Sequence, residues 1–196
     1  MTDAFQSCPV DKIASSTAHC DVASPVTLSS YVVAQHGYLV VVRALDEKDQ
    51  YDEVECSDGV FRHIRKGDVL VGPLGGRQAL KGYSGRVPRH ISPGDTLNVL
   101  NLGGLIGECT AAHPELGPPL PVEVLGAVMV QRDDQWLHAR IQENALEMVH
   151  RLDASVPLVA VSGTAMDTGK TEAACRIVEG LAEMGLRVGA AKLTGA

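Results

Sequence analysis

The stretches Arg62–Leu70, RHIRKGDVL, and Arg89–Leu97, RHISPGDTL, repeat one pattern 27 residues apart. Each copy opens on Arg-His-Ile, has Gly-Asp near its centre, and is followed by a Gly-Gly pair, Gly75-Gly76 and Gly103-Gly104. Glycine supplies the positive φ of a tight turn, and an aspartate side chain can accept a backbone N–H there, so each copy predicts strand, turn, strand. Such a unit cannot cover its own apolar face, and we expect the two copies to pack together.

Short β-branched runs surround the repeat, and they are separated by Gly, Pro and Asp. Examples are YLVVVRA, DVLVG, DTLNVL and VEVLGAVMV. This pattern is typical of a small all-β barrel or sandwich, so we predict a β-barrel-like domain over residues 27–131. Residues 1–26 mix Ser, Thr, Ala and Asp without a period of two or 3.6, which predicts a flexible leader.

The doubled Gly-Asp turn resembles the GD box of cradle-loop barrels, a group that includes the double-psi barrels. The resemblance implies a ligand-binding, regulatory or docking module. Because the same Arg-His pair precedes both turns, Arg62, His63, Arg89 and His90 are candidates for a site near a pseudo-twofold axis. The simpler interpretation, which we favour, is that they are outward-facing strand residues repeated by duplication.

The apolar period changes between residues 132 and 154, where we predict a connecting helix. Asp133 or Asp134 is placed to cap its first turn, and Trp136 is expected to be a packing anchor. The helix would carry an apolar stripe that packs on the β domain, on the following domain or on another copy of the chain, so a homo-oligomer is compatible with the sequence. The stripe consists of Leu137, Ile141, Ala145, Met148 and Leu152.

Residues 155–196 have the pattern of the start of a parallel α/β domain. The apolar run at 156–162 has strand length, the glycine-containing segment Gly163–Thr171 follows, and an apolar helical face continues to Gly185. A second apolar run occupies 186–193. Strand, glycine loop, helix, strand is the context in which a phosphate-binding loop is expected, the alternative being a β–α turn with a coincidental Gly-Lys-Thr.

The residue types of this loop suit a nucleotide phosphate. Gly163 and Gly169 let successive backbone N–H groups point inward at an anion, and the helix that starts near Gly169 adds the positive end of its dipole. Lys170 can reach the β and γ phosphates, and the Thr171 hydroxyl can ligate Mg²⁺ that bridges them. We therefore expect ATP or GTP with Mg²⁺ as cofactors.

The loop reads G-T-x-x-x-x-G-K-T, with five residues between the first glycine and Gly-Lys. It resembles dethiobiotin synthetase and its relatives, including amidotransferases of the cobyrinic acid a,c-diamide synthase type. The resemblance covers 156–196 and implies a nucleotide site formed by Gly163, Thr164, Asp167, Thr168, Gly169, Lys170 and Thr171. It also implies that Asp167 and Thr171 hold Mg²⁺ and that Lys170 and Lys192 are catalytic.

Two residues depart from what that family often has, Ala165 in place of aspartate and Leu193 in place of proline. These departures bear on the acceptor substrate more than on the nucleotide. ATP is expected ahead of GTP, in an ATP-dependent enzyme of the ligase or kinase kind. The acceptor is expected to be a small molecule that the sequence does not identify.

The whole chain is thus predicted to be α+β, with an all-β barrel-like domain, a connecting helix and the β-α-β start of a P-loop domain. Because a P-loop sheet needs more parallel strands than 155–196 supplies, we expect this to be the N-terminal part of a longer enzyme, inactive by itself. The alternative is a β-barrel binding or oligomerisation module whose nucleotide loop is vestigial.

Charge and composition exclude several other classes of function. A net charge of −7 and a pI near 5.4 argue against a nucleic-acid partner, which requires a clustered basic surface. Apolar runs are too short to span a bilayer, so no membrane partner is expected. The five cysteines are scattered without disulfide or metal-ligand spacing, which favours free thiols and a cytoplasmic location. The seven histidines are scattered too and lack metal-ligand spacing.

Overall fold

The computed structural model describes residues 5–145, 150–151, 156–165 and 168–192. They fall into two compact units, residues 5–145 and, with the gaps just given, residues 150–192. The residues in these described ranges are mostly β with one α-helix, an α+β arrangement with a mixed sheet. The strands of the larger unit are β1 Gln6–Cys8, β2 Lys12–Ile13, β3 Val26–Ser29, β4 Leu39–Ala44, β5 Glu53–Glu55, β6 Phe61–His63, β7 Val69–Pro73, β8 Tyr83–Arg86, β9 Thr96–Val99, β10 Ile106–Ala112, β11 Leu120–Arg132 and β12 Gln135–His138.

One sheet contains all of these strands except β5 and β6, which pair with each other. Its main order is β2-β7-β4-β11-β9-β10-β8, with β3 and β12 also on β11 and β1 on β3. Only the β2–β7 pair is parallel among the pairs formed by the described strands. Strand β11 spans 13 residues and pairs with four partners, so it organises the whole sheet.

The sheet curves strongly around its core. A bridge joins Leu74, just after β7, to Ile106 at the start of β10, although these strands are four places apart in the sheet order. The order nevertheless runs from β2 to β8 as a path, so the described strands form no closed barrel. Strand β4 is buried on both faces: Val40 and Val42 belong to one apolar cluster and Val41 to the other.

The two Gly-Asp turns are equivalent in the structure. Gly67 and Gly94 have φ of +91° and +92°, the left-handed region that favours glycine. The N–H of Gly67 donates to the Ala44 carbonyl at 2.9 Å, and that of Gly94 donates to the Val124 carbonyl at 2.8 Å. The two turns therefore dock in the same way, one against β4 and the other against β11.

The aspartates of these turns are matched as well. Asp68 Oδ2 accepts the N–H of Arg65 at 2.6 Å, and Asp95 Oδ2 accepts the N–H of Ser92 at 2.8 Å. In return, the Asp68 N–H donates to the Arg65 carbonyl at 3.0 Å, and the Asp95 N–H donates to the Ser92 carbonyl at 3.1 Å. Each turn is thus closed by its own aspartate in both directions, as expected for Asx-type turns.

A local twofold relation follows from the matched turns. The carbonyls that accept the two turns belong to Ala44 of β4 and Val124 of β11, so a twofold rotation exchanges these two residues. The same rotation exchanges the pair Ala44↔Val122 with the pair Val42↔Val124. The pair between them, Arg43↔Glu123, is its own image and lies on the axis. Its charges are opposite, with Nη1 3.2 Å from Oε2, where two identical halves would place like charges face to face.

The predicted flexible leader is wrong for the residues that the structure describes. Residues 5–26 contain β1, β2 and a 3₁₀ turn at Ser15–Thr17, and Ala14, Thr17 and Cys20 are buried. Each strand in this stretch has only two or three residues, too few to produce a readable period of two. The N-terminal stretch is therefore part of the core of the larger unit.

The predicted connecting helix is also wrong over residues 132–145. Strand β11 continues to Arg132, and Asp133 and Asp134 have φ of +47° and +61°. Two successive left-handed residues form the tight turn of a β-hairpin, so they lead directly into β12 instead of capping a helix. A 3₁₀ turn follows at Ile141–Asn144, and the stripe positions Met148 and Leu152 lie outside the described residues.

The smaller unit contains the helix α1, Lys170–Glu183. Neither of the apolar runs beside it, 156–162 and 186–192, is assigned to a strand, contrary to the prediction of two parallel strands. A parallel strand needs hydrogen-bonded neighbours and cover on both faces, whereas Val156, Leu158 and Val159 are more than 60% exposed. Within the described ranges no helix combines the length and apolarity needed to cross a membrane.

Candidate phosphate-binding loop

Gly169 lies in the loop and is the residue directly before α1. Its φ of +81° puts it in the left-handed region, and its carbonyl accepts the N–H of Ala173 at 2.9 Å as the first bond of the helix. The N–H groups of the first turn have no partner within the helix and carry the positive end of the helix dipole. Glu172 in this turn forms an ion pair with Arg176, with 3.0 Å between Oε1 and Nε, which partly neutralises the charge of the glutamate.

Lys170 folds back from the helix over the loop. Its ammonium donates to the Ala165 carbonyl and to Thr168 Oγ1, the latter at 3.2 Å. The Thr168 hydroxyl in turn donates to the same Ala165 carbonyl at 3.1 Å. The loop, the threonine and the ammonium therefore form one hydrogen-bonded group at the N-terminus of α1.

Gly163 lies directly under this group. A Cβ at residue 163 would lie 2.5 Å from Thr168 Oγ1 and 3.0 Å from the Lys170 Cγ and Cδ atoms. Both distances are shorter than normal packing allows, so only glycine fits without displacing the other two side chains. The first and last parts of the loop are thus in contact across the described residues.

Three further predicted site residues lie in the described ranges, and none of them is hydrogen-bonded to this group. Thr164 and Thr171 are exposed, and Thr171 lies in the first turn of α1. Lys192 is exposed too, and within the described residues no hydrogen bond or ion pair joins it to the loop. Asp167 lies outside the described residues. No group of three metal-ligating His, Cys, Asp or Glu side chains occurs in the described part of the chain.

The two Arg-His pairs of the repeat do not form a shared site. The first pair makes local contacts, and the second pair is exposed. Arg62 makes a two-bonded ion pair with Asp58, at 2.8 and 2.6 Å, and the hydrogen bonds from Arg62 lower the pKa of Asp58 to about 2. His63 Nδ1 lies 2.6 Å from Asp52 Oδ2. The second pair, at 89 and 90, is exposed, and no contact brings the two pairs together among the described residues.

A histidine that the sequence reasoning did not single out is held in one tautomer inside the larger unit. His138 Nε2 donates to the Leu39 carbonyl at 2.7 Å, while Nδ1 accepts the N–H of Val33 at 3.3 Å. Its ring packs against Tyr38 with 4.7 Å between centroids. Burial lowers the pKa of His138, which favours the neutral ring. Its partners are about 100 residues away in sequence, so no local signal marks it.

The sequence also gave no sign of an open cavity of about 340 Å³ in the larger unit. The cavity lies where the segment before β3 diverges from the β11–β12 hairpin, with Trp136 and Arg132 on its wall. Arg132 is already engaged, since it lies 3.4 Å from Glu143 Oε2 and donates to Asn144 Oδ1 at 3.1 Å. The cavity therefore presents few uncommitted charges to a ligand.

Comparisons of the chain with protein-family models, with curated proteins and with solved structures each returned no match.

Proposed function

We propose that residues 163–171 bind the phosphates of a nucleoside triphosphate, ATP in preference to GTP, together with Mg²⁺. The observation that carries this proposal is the position of Lys170. A long, flexible cation at a helix N-terminus is normally free in water, yet this one is folded onto the loop between the Ala165 carbonyl and Thr168. That geometry supports a loop with its cation already directed at an incoming anion.

Electrostatics supports the same proposal. The first turn of α1 has no side-chain cap on its N–H groups, and Lys170 adds an ammonium at the same helix end, so both features attract an anion. Phosphate oxygens would replace the Ala165 carbonyl as the partner of the ammonium, and the contact would gain an ion pair because both partners would then be charged. The Thr171 hydroxyl, one residue further, is available to Mg²⁺, and Asp167 would add a carboxylate oxygen.

The reaction class follows from the resemblance of the loop to dethiobiotin synthetase-like enzymes. We propose that the chain belongs to an ATP-dependent enzyme of the ligase or kinase kind, acting in the cytoplasm on a small-molecule acceptor. Lys170 would stabilise charge on the transferred phosphoryl group, and Lys192 would contribute a second cation. Free thiols at all five cysteines fit the cytoplasmic location.

Isothermal titration of the full chain with ATP and with GTP, each with and without Mg²⁺, tests the nucleotide proposal. Lys170→Ala should abolish binding, whereas Lys66→Ala, in the larger unit, should bind like the parent and controls for a general loss of positive charge. Equal affinity in the parent and in Lys170→Ala would remove the assignment.

A second candidate function concerns the larger unit alone. The matched turns at Gly67 and Gly94, and the bridge between Leu74 and Ile106, favour a relationship with GD-box cradle-loop barrels. We propose that this unit then acts as a binding or oligomerisation module and that the loop of the smaller unit is vestigial. Sedimentation of the chain, with titration of Mg²⁺-ATP on the same sample, separates the two: self-association without nucleotide binding supports the second candidate.

A further inference from the structure

We infer that Thr168 is the positioning residue of the loop, which holds the Lys170 ammonium in place before any nucleotide arrives. The inference rests on the proposed nucleotide function. The inference adds to that function, because a phosphate-binding loop made of glycines, a lysine and a metal-binding hydroxyl does not by itself require a threonine before Gly-Lys. What requires it here is the arrangement of contacts around its side chain.

Thr168 Oγ1 uses both of its hydrogen-bonding capacities within the loop. It donates its proton to the Ala165 carbonyl at 3.1 Å and accepts one from the Lys170 ammonium at 3.2 Å. The ammonium also donates to that same carbonyl, so three groups form a closed triangle. Removing the hydroxyl leaves the carbonyl as the ammonium's one remaining partner among these contacts.

Packing against Gly163 also restricts the positions of the Thr168 and Lys170 side chains. The threonine oxygen lies 2.5 Å from the place that a Cβ on Gly163 would take, and the Lys170 stem lies 3.0 Å from it. Thr168 and the lysine stem therefore pack side by side on the bare backbone of the glycine. The side chain of residue 168 thus restricts the rotamers of Lys170 and does not merely touch its end.

The consequence for binding is a smaller entropic loss. A free lysine side chain loses rotamer entropy when it is fixed, and lysine is among the residues that lose most. Where the stem and ammonium are already restricted, part of that loss has occurred before the phosphates arrive. Because the ammonium reaches the β and γ phosphates, the advantage should apply to ATP and not to AMP.

The test compares the parent, Thr168→Val, Thr168→Ser and Lys170→Ala by titration with Mg²⁺-ATP and with AMP. Valine keeps the shape of threonine and removes the hydroxyl, whereas serine keeps the hydroxyl. We expect Thr168→Val to raise the Kd for Mg²⁺-ATP about 3- to 10-fold, and Thr168→Ser to stay within about twofold of the parent. The Kd for AMP should be the same in the parent and in both variants at 168.

The outcomes separate this inference from the proposed function. If the parent and Lys170→Ala do not differ, the nucleotide site itself is refuted and the inference with it. If Lys170→Ala fails to bind but Thr168→Val binds Mg²⁺-ATP like the parent, the loop is a phosphate site and Thr168 has no positioning role. An equal loss in the valine and serine variants, or a loss for AMP as large as for ATP, would also overturn it. Far-ultraviolet circular dichroism confirms that α1 persists in each variant.

Discussion

The matched aspartates Asp68 and Asp95 allow one ion pair to be measured against an internal reference. Both close a Gly-Asp turn by the same backbone hydrogen bonds, but among the contacts of the described residues only Asp68 also pairs with a cation, Lys12, whose Nζ lies 2.5 Å from Oδ2. The Lys12 and Asp68 side chains are only 11% and 19% exposed. Substitution of each aspartate by asparagine keeps an acceptor for the turn and removes the charge.

The magnitudes follow from this geometry. Changing a charged acceptor to a neutral one weakens the turn hydrogen bond by about 1 kcal/mol, and this loss should be shared by Asp68→Asn and Asp95→Asn. Asp68→Asn also leaves Lys12 largely buried without its carboxylate. Breaking a fully buried pair costs about 3–5 kcal/mol and an exposed one about 0–1 kcal/mol, so an intermediate loss near 2 kcal/mol is expected for this mostly buried pair. We predict total losses of about 3 and about 1 kcal/mol.

The assay is urea unfolding followed by the fluorescence of Trp136, the single tryptophan, which reports on the larger unit. Lys12→Met combined with Asp68→Asn should recover most of the difference between the two variants, because it removes the unpaired cation. Equal losses of unfolding free energy in Asp68→Asn and Asp95→Asn, or no recovery in the double variant, would show that the unpaired Lys12 does not cause the extra loss.

The same pair predicts a pH dependence. Burial raises the pKa of Asp68, but the hydrogen bonds from Lys12 and from the Arg65 backbone outweigh it and hold the pKa below its usual value. A carboxyl whose folded pKa is depressed contributes stability that is present above the unfolded pKa, about 3.9, and is lost as pH falls through the folded pKa. Between pH 5 and pH 3 the parent should therefore lose more stability than Asp68→Asn.

Three further predictions concern the ion pair on the twofold axis, the phosphate-binding loop and the half-buried His138. Arg43→Glu places like charges opposite each other and should cost about 1 kcal/mol, whereas adding Glu123→Arg should restore the parent's urea midpoint; a double variant as unstable as the single one would contradict the pairing. Gly163→Ala should weaken Mg²⁺-ATP binding about 10-fold or more by displacing Lys170, and Gly189→Ala, where a Cβ meets nothing within 4 Å, should not. Because burial lowers the folded pKa of His138, the unfolded state binds the proton first, and stability should fall as pH drops below about 6.5; urea midpoints at pH 7.5 and 5.5 should differ less in His138→Gln than in the parent.

Features that depend on a few neighbouring residues could be read from the sequence. The positive φ of Gly67 and Gly94 and the closing of each turn by the next aspartate are local, and the structure has both. The helix after Gly169 was also predictable, because a left-handed glycine, good helix formers and a terminating Gly185 follow one another. The prediction of a β-rich first unit followed from the same turn chemistry.

Features set by contacts between distant residues could not be read in this way. The apolar spacing after Asp133 fitted a helix, but the left-handed pair at Asp133 and Asp134 turns the chain into a hairpin that extends β11. The first residues looked irregular because their strands are short and are fixed by partners such as Val69, whose carbonyl accepts the Asp11 N–H at 2.8 Å. The contact of Thr168 with Lys170 and Gly163 likewise depends on how the loop folds back, which residue spacing does not specify.

Recognition of phosphates by residues 163–171 can be measured without any contribution from base or sugar by using inorganic tripolyphosphate with Mg²⁺ as the ligand. The full chain and Lys170→Ala are titrated with it under the same conditions, and the bound ligand is then competed with ATP. We expect the parent to bind tripolyphosphate, ATP to displace it, and Lys170→Ala to bind neither ligand. Failure of the parent to bind tripolyphosphate, or equal binding by Lys170→Ala, would contradict phosphate recognition by these residues.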